Sequence, residues 1–187
     1  MISSIKITNK ELIKRIAIPE INFESGYNCL IGKNGSGKST FLNAIFGMSE
    51  KRKLLRPENV KITCTPTKVY KFDTEKDNFR TLPYLREEVD LVSQVMSMRM
   101  SHGQSLFQVI SSIQTHGVES TALLDEPESG LDLESIIAIR EIFQSIKCQV
   151  IVATHHPLLM FGNVIELTPH YHIFVKTYFK KQFENNS

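Results

Sequence analysis

An α/β fold on a mostly parallel central sheet is predicted by three observations. A glycine-rich run, GKNGSGKST at 32–40, sits between an apolar strand-like stretch and a helix-compatible one. Strand-like and helical segments alternate along the chain, the order that gives parallel strands. A short apolar run, 121–124, leads directly into two carboxylates, Asp125 and Glu126. In open α/β sheets ligands sit at that end of a strand.

In chain order, Ile5 and Ile7, then Ile16, Ile18 and Ile21, predict two short β-segments, forming an N-terminal antiparallel unit. Residues 27–31 predict a strand, and 38–48 a helix ending near Gly47. The charged stretch 49–59 is expected to be a surface connection, and its Lys51, Arg52, Lys53 and Arg56 a solvated group rather than a nucleic-acid contact. Residues 60–72, interrupted by Pro66, predict one or two strands, and 73–83 a polar loop. Near-helical spacing of Leu85, Val89, Val92, Val95 and Met96 predicts a helix over 84–98. Met96, Met98 and Met100 are expected to fill a core. A second helix is expected over 104–116. Beyond it come a strand at 120–124, a helix at 133–146, a strand at 149–153, and late strands at 164–167 and 171–175.

The run at 32–40 fits G-x-x-x-x-G-K-[ST], with Gly32, Gly37, Lys38 and Ser39 in the defining places. Lys33, Asn34, Gly35 and Ser36 lie between them, and Thr40 follows. Glycines let successive backbone N–H groups turn inward around phosphate oxygens, and the following helix N-terminus adds its positive dipole end. Lys38 is expected to reach the β- and γ-phosphates of a nucleoside triphosphate, and the Ser39 hydroxyl to hold Mg²⁺. Asp125 is expected in the Mg²⁺ shell opposite Ser39. Glu126, one residue on and aimed elsewhere, suits removal of a proton from an attacking water.

The bulk numbers are compatible with this reading. The chain has 187 residues, 41% apolar and 22% charged, enough for one domain with a proper core. A net charge of +2 argues neither for a polyanion-binding machine nor against a local basic patch. Cys29, Cys64 and Cys148 have no paired or metal-like spacing and read as buried free thiols in a reducing compartment. With no signal peptide and no apolar run of ~18 residues, a cytoplasmic protein without a membrane segment of its own is expected.

LLDEP followed by SGLD, within 121–132, resembles the Walker B motif and D-loop of the ABC-type ATPases. MSHGQ at 100–104 is similar to that family's LSGGQ signature, keeping Ser101, Gly103 and Gln104, with His102 in place of a glycine. ATHHP at 153–157 resembles the switch-histidine motif, placing His155 in the switch position with His156 as the competing candidate. The resemblance runs from about residue 27 to 167. It implies a P-loop NTPase fold for the whole chain, with a small helical subdomain at approximately 80–117 carrying the signature. ATP and Mg²⁺ are the implied cofactors.

A homodimer formed on ATP binding is implied too, in which Ser101, Gly103 and Gln104 of one copy face the γ-phosphate held by the other. The resemblance further gives Asp132 a role in communication across that dimer, compatible with capping helix 133–146. His102 contacts phosphate or ribose, or points to solvent. The region 69–80 lacks the family's Q-loop glutamine, for which Asp73 or Glu75 is the candidate replacement. Base contacts fall to Lys14 or Arg15, and adenine over guanine rests on the resemblance alone. The short middle of the chain rules out long coiled-coil arms. The chain therefore resembles the heads of RecF-like and chromosome-maintenance ATPases without their arms, which implies an effector protein or nucleic acid as a candidate partner. A transporter's nucleotide-binding subunit and an ATP-sensing regulatory module are the alternatives.

Overall fold

The computed structural model describes residues 1–8, 18–50, 60–73 and 119–184. Among them, β1 (Ile2–Ile7), β2 (Glu20–Asn22) and β4 (Val60–Cys64) form an antiparallel sheet in the order β2-β1-β4. Five parallel strands form the second sheet: β3 (Tyr27–Ile31), β5 (Lys68–Asp73), β6 (Ser120–Asp125), β7 (Gln149–Ala153) and β8 (Asn163–Glu166). Their order is β5-β6-β7-β3-β8. Helices α1 (Lys38–Glu50), α2 (Leu133–Ser145) and α3 (Tyr171–Glu184) complete the described elements, with a 3-10 turn at Pro157–Leu159. The expected α/β class, parallel sheet and antiparallel N-terminal unit are all present. The helical subdomain expected at 80–117 lies outside the described residues, as do the two helices and the methionine cluster predicted within or beside it.

The period-2 alternation of strand side chains assigns each face of the parallel sheet a partner. Cys29 and Ile31, Ala122 and Leu124, and Val150 and Val152 join Ile136, Ile139 and Phe143 of α2 in one core cluster. Leu30, Leu123, Ile151 and Ala153 point the other way. They meet Phe41, Leu42 and Ile45 of α1 and the isoleucines of the antiparallel sheet. With both faces covered, β3, β6 and β7 are buried throughout, which is why their sequences read as continuous apolar runs.

Gln149 joins the two sheets. Its Oε1 accepts from the Ile2 N–H at 2.8 Å and the Thr121 hydroxyl at 2.9 Å. Its amide nitrogen donates to the carbonyls of Ile2 at 2.7 Å and Glu24 at 2.9 Å. All four hydrogen-bonding capacities of the amide are thus used. Gln149→Leu strands these buried partners, so it is expected to lower unfolding stability by roughly 2–4 kcal/mol. Urea denaturation checks this; a loss within experimental error would show that the amide is not what ties the sheets.

Three sequence expectations are corrected. Residues 171–175 are the first turns of helix α3, not a strand. A five-residue aromatic and β-branched window cannot separate the two, but Tyr171, Phe174, Val175, Tyr178 and Phe179 follow the i, i+3, i+4, i+7, i+8 helical pattern. The turn ahead of it, with His170 at φ 60° and the Tyr171 N–H bonded to Thr168 O, ends the sheet and starts the helix. Cys64 is exposed on β4, whereas Cys29 and Cys148 are buried as expected. Helix α1 continues past Gly47 to Glu50.

Candidate nucleotide-binding site

The loop between β3 and α1 lies at the C-terminal end of the parallel strands. Gly35 and Gly37 take φ values of +76° and +98°, open to glycine at little cost, and these turn the main chain around a concavity. At Gly32 an added Cβ would sit 2.7 Å from Ser36 Oγ and 3.0 Å from Thr168 Oγ1, so the loop closes only on a glycine there. Thr168, just past β8, accepts a hydrogen bond from the Lys33 N–H at 3.1 Å. The parallel pairing of β8 with β3 brings it there, through the Leu167 N–H bonded to Ile31 O at 2.8 Å.

A cavity of about 370 Å³ opens above this loop, within the range of ligand clefts. Asn34, Gly35, Gly37, Lys38, Ser39 and Thr40 line one side, and Glu126 and His155 the other. Lys38 is buried at 6% exposure. Its ammonium donates to Gly32 O at 3.2 Å and lies 2.6 Å from His155 Nε2. Burial lowers the lysine's pKa, while the carboxylates of Glu126, Asp125 and Glu128 oppose the shift. Burial, and next the Lys38 charge, lower the His155 pKa from its ordinary value of 6.5. His155 is therefore neutral near pH 7. Because Lys38 can only donate, Nε2 is the acceptor and Nδ1 carries the proton.

Strand register explains the neighbouring pair. Asp125 shares the face of Leu123, the face covered by α1, and its Oδ1 accepts from the Ser39 hydroxyl at 3.1 Å. Simple alternation would send Glu126 to the opposite face. Instead Glu126 adopts φ 48°, rare for a non-glycine residue, with its N–H bonded to Ala153 O at 2.9 Å. Its carboxylate comes within 3.6 Å of His155 Nε2. Such strain, typically about 1–3 kcal/mol, clusters at functional sites.

The loop after β7 is held from below. Glu128 Oε1 accepts from the Thr154 hydroxyl at 2.5 Å, the His155 N–H at 2.9 Å and the His156 N–H at 3.2 Å. Of the two competing histidines, His155 faces Lys38, whereas His156 accepts the Leu158 N–H through Nδ1 at 3.3 Å and caps the 3-10 turn. Neither Glu128 nor Thr168 was singled out from the sequence. The acid two places beyond Glu126 was a usable signal for the first; nothing local marks the second.

Asp132 caps α2, its carboxylate accepting the Ser135 N–H at 2.8 Å. Hydrogen bonding from the Ser135 side chain, and next from its N–H, lowers the carboxyl pKa from 3.8. Since the folded value lies below the unfolded one, the stabilisation is present above pH 3.8 and is lost as pH falls through the folded value. Asp132→Ala is expected to lower the thermal midpoint by a few degrees at pH 7, and the gap should shrink in acid. A gap constant from pH 7 to pH 2 would contradict the cap's carboxylate origin. Asp73 ends β5 in register with Asp125. Ser101, His102, Gly103, Gln104, Glu75, Lys14, Arg15 and the basic residues 51–56 lie outside the described residues.

The site fits a magnesium-bound nucleotide. Within the loop Ser36 Oγ is a buried hydroxyl without a hydrogen-bond partner among the described residues, and Lys38 donates to the carbonyl of Gly32 in the same loop. No cluster of three or more metal-type side chains occurs among the described residues. One hydroxyl and one carboxylate, Ser39 and Asp125, are what Mg²⁺ needs when phosphates and water supply its other ligands. Strand, phosphate loop, helix and carboxylate strand define a P-loop nucleotide-binding fold.

Comparison with known proteins carries this further. A family model described as "AAA ATPase domain" matches residues 1–91. A second, "AAA domain, putative AbiEii toxin, Type IV TA system", matches 95–160. A "Putative ABC transporter ATP-binding protein" of Sulfurisphaera tokodaii is 28% identical over 89% of this chain and 44% of its own. The chain thus spans less than half of that relative. The "Zinc import ATP-binding protein ZnuC" of Buchnera aphidicola subsp. Baizongia pistaciae is 23% identical over 86% of this chain and 74% of its own. The crystal structure of a "putative Cobalt transport ATP-binding protein" shares the fold, with a TM-score of 0.51 and 20% identity over 79% of this chain and 67% of that one. These matches support an ABC-type P-loop ATPase. No described helix is long and apolar enough to cross a membrane.

Proposed function

We propose that this chain is a cytoplasmic ATP-driven switch that binds Mg·ATP, pairs head to tail with a second copy, and hydrolyses ATP. The observation that carries the catalytic part is the meeting of Lys38, His155 and Glu126 at the mouth of the phosphate loop, with Ser39 and Asp125 paired beside them. Lys38 and the loop N–H groups, with the N-terminus of α1, bind the β- and γ-phosphates. Ser39 and Asp125 hold Mg²⁺, which neutralises phosphate charge when bound. Glu126 accepts a proton from water as its oxygen bonds to the γ-phosphorus. The bond from phosphorus to the bridging oxygen breaks, and ADP and phosphate leave. His155 orients the γ-phosphate and water.

In the proposed dimer Ser101, Gly103 and Gln104 of one copy face the nucleotide of the other, and Asp132 communicates between the two. Contacts made only by the γ-phosphate favour the closed pair, so hydrolysis releases it. Among the effector readings, a DNA-maintenance or defence-type assembly draws support from the second family model, whose description includes a toxin system. A second reading, the nucleotide-binding subunit of a transporter, is favoured by the names of the relatives, which are transport ATP-binding proteins. Steady-state phosphate release with and without DNA or RNA, alongside co-purification from membranes, separates the two. Stimulation by nucleic acid supports the maintenance reading, and stoichiometric recovery with a membrane protein overturns it in favour of transport. No Mg²⁺-dependent phosphate release at all would refute the enzymatic proposal.

A further inference from the structure

Two histidines in a row follow β7, and only one faces the phosphate loop. Their separation is made by the carboxylate of Glu128, two residues beyond Glu126 and joined to it through Pro127. One oxygen, Oε1, collects the Thr154 hydroxyl and the successive main-chain N–H groups of His155 and His156. The Thr154 hydroxyl in turn accepts the His156 N–H at 2.9 Å. A single anionic acceptor thereby clamps three consecutive residues, and it belongs to the loop that carries Asp125 and Glu126. The other oxygen, Oε2, is buried without a hydrogen-bond partner among the described residues. A carboxylate with one oxygen buried and unpaired in this way is poorly explained by stability alone.

Resting on the reading of His155 and Glu126 given above, we propose that Glu128 is a positioning residue for hydrolysis. It clamps the main chain at Thr154, His155 and His156 to the Glu126 loop, fixing the distance between the His155 ring and the Glu126 carboxylate. Glu128 acts through the backbone under His155. With the clamp in place, the His155 ring stands 2.6 Å from Lys38 and 3.6 Å from Glu126. Without it, the loop loses its three bonds to Oε1 and the ring has no fixed height over the phosphate loop. Hydrolysis depends on that height, whereas binding through Lys38 and the glycine loop does not.

The test uses the full chain with ATP and Mg²⁺. Glu128→Ala is expected to lower kcat roughly 10- to 100-fold with little change in KM, the cost of a misplaced catalytic group. Glu128→Gln keeps an accepting oxygen and is expected to recover kcat to within about 5-fold of wild type. Because the effect passes through His155, adding Glu128→Ala to His155→Ala should cost less than about 3-fold more, a non-additivity that a general packing defect would not show. Should Glu128→Ala fail to fold, Thr154→Val removes one donor and is expected to lower kcat about 3- to 10-fold at constant KM. Wild-type kcat in both variants overturns the clamp, as does full additivity with His155→Ala. Lys38→Ala separates the two levels of the argument. If it binds ATP like wild type, the nucleotide-site reading has failed. If it loses ATP while Glu128→Ala hydrolyses normally, only the clamp has failed.

Discussion

Glu126→Gln is expected to reduce ATP turnover by about 10²–10⁴-fold, the usual worth of a general base, while leaving ATP binding nearly unchanged. The substitution keeps the shape and the hydrogen-bonding reach of the side chain but removes its ability to take a proton from water. Lys38 keeps its contacts with Gly32 O and His155, and Ser39 its bond to Asp125, when the Glu126 carboxylate beside His155 becomes an amide. A trapped ATP-bound form should accumulate, and with it the proposed dimer, which light scattering after gel filtration detects. The left-handed backbone at Glu126 strengthens the expectation, because a side chain placed there at a cost in strain is one whose position matters. Turnover at the wild-type rate would remove Glu126 from the chemistry.

Lys38→Ala should weaken ATP binding roughly 10- to 100-fold and with it turnover. Lys38 is a buried cation whose pKa is lowered by burial and sustained only by the carboxylates around it. Charge-assisted contacts of this kind are worth about 1.5–3 kcal/mol each, or roughly 10- to 100-fold in affinity. Thermal denaturation gives a direct reading. Wild type at 100 times its dissociation constant should gain about 2.7 kcal/mol from Mg·ATP, and the variant at the same concentration only about 0.4–1.4 kcal/mol. An undiminished ATP-induced shift in Lys38→Ala would mean that the nucleotide sits elsewhere.

The parallel core was legible because its strands are buried on both faces, so β3, β6 and β7 appear as unbroken apolar runs between turn residues. The phosphate loop was legible for a different reason: its glycines are required by backbone geometry, and geometry of that kind leaves a fixed spacing in the sequence. Helix α3 was misread at 171–175 because five residues are too few for a 3.6-residue period to declare itself, and the diagnostic positions, Tyr178 and Phe179, lie just beyond. Cys64 was misjudged because membership of a strand says nothing about which face is covered; the end of β4 is open. Glu128 and Thr168 owe their places to strand register, which brings the loops after β6, β7, β3 and β8 to one edge of the sheet. Local sequence contains no record of that meeting.

The most direct test of the proposed nucleotide sandwich is phosphate release at saturating Mg·ATP, followed as the concentration of the chain rises from nanomolar to micromolar. Two copies enclosing the nucleotide predict a rate per chain that climbs with concentration and then levels off as the pair saturates. A rate per chain that stays constant across the whole range would contradict it.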